Sequence, residues 1–79
     1  MTKEDLLFLI ETKKEFEFKF NGKTYNMTYD VDKAKNPVIV FGQLYEGKVY
    51  KSFGELMNTA SIENHFFKDM LDVIPLENH

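Results

Sequence analysis

The residues able to do chemistry are few and scattered. His65 stands near Glu63, Asp69 and Asp72, and on a helix the four-residue spacing of His65 and Asp69 would let both reach one cation. A specific metal site takes three or four convergent ligands. Here there is one imidazole, no thiol and no partner to orient the ring. A solvated polar face explains these residues better, with Asp69 placed to favour the early turns of a helix. Nucleophilic catalysis needs a nucleophile, a base and an orienting group. Ser52 and Ser61 read as cap and loop residues, His65 has no serine partner in view, and His79 lies in the tail.

Glu15 and Glu17 fall on one face of a strand, where paired carboxylates could share acid–base work. Lys19 continues the row, and a charged row of this kind marks the solvent side of a sheet. Gly22, Gly42, Gly47 and Gly54 are isolated, so no phosphate-cradling loop is present. Gly54 lies in the first turn of a helix, where anions bind, but Glu55 beside it opposes one. No catalytic, cofactor-binding or metal-binding residue is therefore expected, and the chain reads as a protein other than an enzyme.

Two binding readings remain. Lys33, Lys35, Lys48 and Lys51 lie near Phe41, Tyr45 and Tyr50, and lysines beside aromatic platforms can hold a single nucleic-acid strand by charge and stacking. Against this, the formal net charge is −3, and Asp30, Asp32 and Glu46 interrupt the lysines. All 10 basic residues are lysine, so the bidentate contacts of arginine are missing.

The other reading is protein binding. Val38-Ile39-Val40-Phe41 is apolar without alternation, as a strand covered on both faces would be. If Val38, Val40, Leu44 and Val49 face inward, then Ile39, Phe41, Tyr45 and Tyr50 face out as an apolar, aromatic interaction face. If the helices cover those rings instead, they are core. Phe8 could extend an apolar patch elsewhere, and an edge strand could accept a partner strand. The expected function is a small cytosolic interaction or regulatory module without catalytic activity or cofactor. Its partner would be another protein or a second copy of itself, with single-stranded nucleic acid as the alternative.

The elements that position these residues can be read from spacing. Thr2-Lys3-Glu4-Asp5 matches a capping box, and Leu6, Leu7, Leu9 and Ile10 share a helical face, so a helix is expected over residues 3–13, with Phe8 off the stripe. Glu15 to Phe20 alternates strictly and ends at Asn21-Gly22, a dipeptide that suits a type I′ hairpin turn. A two-residue loop there pairs Phe20 with Lys23, Phe18 with Tyr25 and Phe16 with Met27. Phe16, Phe18, Phe20, Tyr25, Met27 and Tyr29 then line one side, and Glu15, Glu17, Lys19, Thr24, Asn26 and Thr28 the other.

Val31 to Asn36 reads as a loop, and Pro37 suits a strand start. A second two-residue turn at Glu46-Gly47 would put Leu44 opposite Val49 and Gln43 opposite Tyr50. Ser52-Phe53-Gly54-Glu55 is a second capping box, opening a short helix with Phe53, Leu56, Met57 and Ala60 on one face. Ser61 to Asn64 breaks it. From His65 onward Phe66, Phe67, Met70, Leu71, Val73 and Ile74 form a stripe, predicting a further helix that Pro75 ends. The expected fold is α+β: a four-stranded antiparallel meander with an N-terminal helix and two C-terminal helices packed on one face.

At 79 residues the chain is one small globular domain, too small for a deep enzyme pocket with a core around it. Its 43% hydrophobic and 29% charged content is ordinary for a folded protein, and the 15% aromatic share, mostly Phe, can fill a small core with few residues. The chain has no cysteine, hence no disulfide and no thiolate-held zinc, which favours a reducing, cytoplasmic setting. Leu6 to Ile10 is too short and too acidic at its flanks for a secretory leader, and nothing approaches the roughly 20 apolar residues of a membrane span.

The N-terminal helix opening on Thr and acidic residues, Phe18-Lys19-Phe20-Asn21-Gly22-Lys23-Thr24-Tyr25 around the first turn, Ser52-Phe53-Gly54-Glu55-Leu56-Met57-Asn58, Ala60-Ser61-Ile62 and Lys68-Asp69-Met70-Leu71 together resemble a group of short bacterial proteins of unknown function. These are capping, turn and core positions through most of the chain. The resemblance implies a bacterial, cytosolic origin and carries over no catalytic or binding residue.

Overall fold

Thr2 closes the first helix at its N-terminus: its hydroxyl accepts from the Asp5 N–H, and the Asp5 carboxylate accepts from the Thr2 N–H. Those bonds hold the Asp5 carboxyl below its ordinary range. In the computed structural model, which describes residues 1–74, helix α1 spans Lys3–Glu11. It ends two residues before the expected boundary because Lys13 turns to a left-handed φ of 56°. The Lys13 and Lys14 N–H groups then close on the carbonyls of Ile10 and Leu9. Leu6, Leu9 and Ile10 are buried and Phe8 is exposed.

Four strands follow in sheet order β1 (Phe16–Phe20), β2 (Lys23–Val31), β3 (Pro37–Gln43) and β4 (Lys48–Tyr50), all antiparallel. The first hairpin has the register that its alternation predicts, with Phe20 opposite Lys23, Phe18 opposite Tyr25 and Phe16 opposite Met27. Asn21 and Gly22 both take positive φ, as the turn requires. Asp32 organises the next loop: one carboxylate oxygen accepts from the N–H groups of Ala34 and Asn36, which keeps its carboxyl below the ordinary range.

Helix α2 covers Phe53–Thr59, capped by Ser52, whose hydroxyl accepts from the Glu55 N–H. The Glu55 carboxylate accepts from the Lys51 N–H rather than from Ser52, so only half of the expected reciprocal box forms there. Beyond α2, Ser61–Ile62 (β5) and His65–Phe66 (β6) form a small hairpin, and Phe67–Asp69 and Leu71–Val73 are single 3₁₀ turns. The last expected helix is thus replaced. Glu63 takes a left-handed φ of 56° and turns the chain back, and the Phe67 N–H bonds to the Ala60 carbonyl. So short a segment is a marginal helix on its own. The hairpin and turns deliver Phe67, Leu71 and Ile74 to the core and leave Phe66 and Val73 exposed. The expected helix stop at Pro75 and the tail after it lie outside the described residues.

One face of the sheet carries the core. Phe16, Phe18, Tyr25, Met27, Ile39, Phe41 and Tyr50 pack with Leu6, Leu9 and Ile10 of α1, Leu56 and Met57 of α2, and Ile62, Phe67, Leu71 and Ile74. Phe41, 1% exposed, stacks on Phe67 at 4.2 Å between ring centroids and lies 6.3 Å from Phe18. Tyr29 ties α1 to the sheet: its hydroxyl donates to the Lys14 carbonyl at 2.8 Å, with the Leu9 carbonyl at 3.3 Å. Burial, with a smaller effect from Glu15, pushes the Tyr29 hydroxyl up to about 12.

Candidate functional site

The face expected from Ile39, Phe41, Tyr45 and Tyr50 does not form. Ile39, Phe41 and Tyr50 are buried in the core, and only Tyr45 is exposed. The cause is the pairing of β2 with β3. Ile39 lies opposite Tyr29 and Phe41 opposite Met27, and directly opposed residues share a face. The apolar face of the first hairpin therefore dictates which residues of β3 point inward. The rings of Phe41 and Tyr50 are likewise withdrawn from any stacking platform for a nucleic-acid strand. Burial, with Glu55 adding, also raises the Tyr50 hydroxyl above its ordinary value.

The link between β3 and β4 differs from the expected two-residue turn. Tyr50 pairs with Ile39 and Val49 with Val40, leaving Gly42 to Gly47 in the connection. The slip from the expected register is an even number of residues, so side chains keep their faces. Two backbone bonds hold the loop: the Leu44 N–H to the Thr24 carbonyl at 2.8 Å, and the Glu46 N–H to the Gln43 carbonyl at 2.7 Å. Gly42 and Gly47 let its ends approach. A Cβ on Gly42 would stand 3.0 Å from the Gly47 Cα, and one on Gly47 would stand 2.7 Å from a Val40 methyl.

Tyr45 is at the apex. Its φ is 71°, a left-handed conformation that costs an L-residue with a bulky side chain, and its ring is 95% exposed. No ring contact, hydrogen bond or ion pair of Tyr45 occurs among the described residues. A strained backbone thus presents an aromatic side chain that contributes almost nothing to the core.

The other candidates remain apart. Glu15 and Glu17 are exposed and line a shallow open cleft of about 250 Å³ together with Phe16, Asn26, Met27 and Thr28. Among the described residues no histidine, serine or lysine lines it. Glu63 does not join His65: its carboxylate accepts from the Asn21 side-chain amide at 3.2 and 3.3 Å, linking the tips of two hairpins. Among the described residues, no three His, Asp or Glu side chains come together where they could hold a metal ion. Ser52 caps α2 and Ser61 lies in β5. No helix among the described residues is long and apolar enough to cross a membrane. No family model matches the chain, and neither a curated protein nor a solved structure matches it.

Proposed function

We propose that this chain is a small cytosolic protein-interaction or regulatory module without catalytic activity, and that Tyr45 is the anchor through which it grips its partner. The observation that carries this reading is the pairing of cost and exposure at Tyr45: φ 71° with a ring 95% exposed. Strain of this kind persists where the surrounding structure over-determines it, and such positions cluster at functional sites. Tyrosine is also among the side chains that dominate binding energy when a partner's pocket encloses them. Leu44, half-buried, and the exposed Glu46 flank Tyr45 in the chain.

The test is a comparison of two baits. The immobilised full chain and its Tyr45→Gly variant are exposed to the same source lysate, and bound proteins are quantified. A protein retained by the parent and lost at least about tenfold by the variant supports the reading, since loss of a central aromatic anchor costs 2 kcal/mol or more. Identical retention by both baits overturns Tyr45 as the anchor.

A further inference from the structure

Among the described residues no further strand pairs with either edge of the sheet, and the two edges differ. β4 is three residues long, and Lys48 at its start and Lys51 just past its end present charge of one sign. Short, lysine-bearing edges discourage strand addition. β1 is five residues long and carries charges of both signs, Glu17 and Lys19, on its solvent face.

The hydrogen-bond phase of β1 follows from its turn. With a two-residue loop, Phe20 and Lys23 are a bonded pair, and bonding to β2 then alternates through Phe18 and Phe16. The N–H and C=O groups of Glu17 and Lys19 therefore point away from β2. Among the described residues they make no backbone bond to any other element. Among the described residues the Glu17 and Lys19 side chains also have no hydrogen bond or ion pair.

We propose that the β1 edge pairs with the β1 edge of a second copy of this chain, antiparallel, about a two-fold axis at Phe18. This contact goes beyond the Tyr45 reading above: it is a second, separate surface of the same module, and its partner is another copy of the chain rather than the partner that Tyr45 grips. In this register Glu17 faces Lys19 of the other copy, twice, and both pairs have their backbone groups in phase to bond. Phe18 meets its own copy on the axis, and Phe16 lies opposite Phe20, which continues the aromatic layer across the edge. Sliding two residues either way sets Glu17 against Glu17 or Lys19 against Lys19, and like charges directly opposed are unfavourable. Charge thus selects one register, and the edge is complementary to itself, as a two-fold contact must be. The two sheets become one of eight strands, four from each copy.

An edge contact of this size belongs with weak, transient interfaces, below about 1,200 Å². Sedimentation of the full chain is therefore followed from about 10 μM to about 1 mM, the range of such affinities. The expected result is a weight-average mass rising from 9.3 kDa towards twice that. Glu17→Lys and Lys19→Glu each weaken association by at least about tenfold, because each sets like charges in both pairs. The double exchange, Glu17→Lys with Lys19→Glu, restores it. The Glu17 and Lys19 amides exchange more slowly with solvent as concentration rises, in the parent and the double variant alone. Both side chains are exposed, so far-ultraviolet circular dichroism should be unchanged in all variants. Tyr45→Gly associates like the parent, which separates this edge from the Tyr45 anchor. A mass of 9.3 kDa throughout overturns the inference, as does association indifferent to the single reversals or unrestored by the exchange.

Discussion

Replacing Tyr45 by glycine should stabilise the fold while removing the proposed anchor. A left-handed φ costs an ordinary residue about 1–2 kcal/mol, and glycine adopts it freely. Glycine in turn gives the unfolded chain more freedom, a penalty of about 0.5–1 kcal/mol. The ring is 95% exposed, so its removal forfeits very little buried area. The balance is a gain of about 0.5–1 kcal/mol, or roughly 2–8 °C in melting temperature for a domain of this size. Tyr45→Ala keeps the left-handed strain and should stay within about 0.5 kcal/mol of the parent. The assay is thermal and urea denaturation of the parent and both variants, at a concentration low enough to keep all three monomeric. If Tyr45→Gly melts several degrees below the parent, the ring supports the fold, and the case for a displayed anchor collapses. Greater stability joined to lost capture would separate function from folding at this residue.

Phe41→Ala removes a ring stacked 4.2 Å from Phe67, and should cost about 3–5 kcal/mol in urea unfolding, most of the stability of so small a domain. Gly42→Ala drives a Cβ against backbone at 3.0 and 3.1 Å, atoms that cannot rotate away, and should cost about 1–3 kcal/mol by the same assay. Tyr29 gives an alkaline signature, since its hydroxyl ionises near 10 when unfolded and is pushed up to about 12 when folded. The unfolded state loses that proton first, so the contribution is whole below pH 10 and falls as pH rises through about 12. About 1–2 kcal/mol should be lost there, after discounting for the partly exposed ring. Tyr29→Phe should cost about 1 kcal/mol at neutral pH and flatten that alkaline fall, read from chemical denaturation at a series of pH values.

Local chemistry set the parts of this protein that lie within a few residues of one another. The Thr2–Asp5 cap, the Asn21-Gly22 turn and the alternation on either side of it are legible because each is decided by neighbours in the chain. The α+β class and the four-stranded sheet follow from the same signals. The face of β3 could not be read this way. Val38-Ile39-Val40-Phe41 has no alternation, and its inward side is chosen by pairing with β2 across the Asp32 loop, so Ile39, Phe41 and Tyr50 went to the core. The segment after Ser61 shows the same limit. Its apolar spacing suits a helix, yet the Ile62–His65 pairing, the left-handed Glu63 and the place of Phe67 beside Phe41 make it a hairpin and two turns. Tyr45 was expected to face out with Ile39, Phe41 and Tyr50 and is the one of the four that is exposed, but the reason lies in how the loop anchors to Thr24 and closes at Gly42 and Gly47 rather than in strand alternation. Sequence alone determined what short-range hydrogen bonding and periodicity encode. Tertiary structure decided which of two apolar faces is buried, because that choice is made by contacts between strands and helices far apart in the chain.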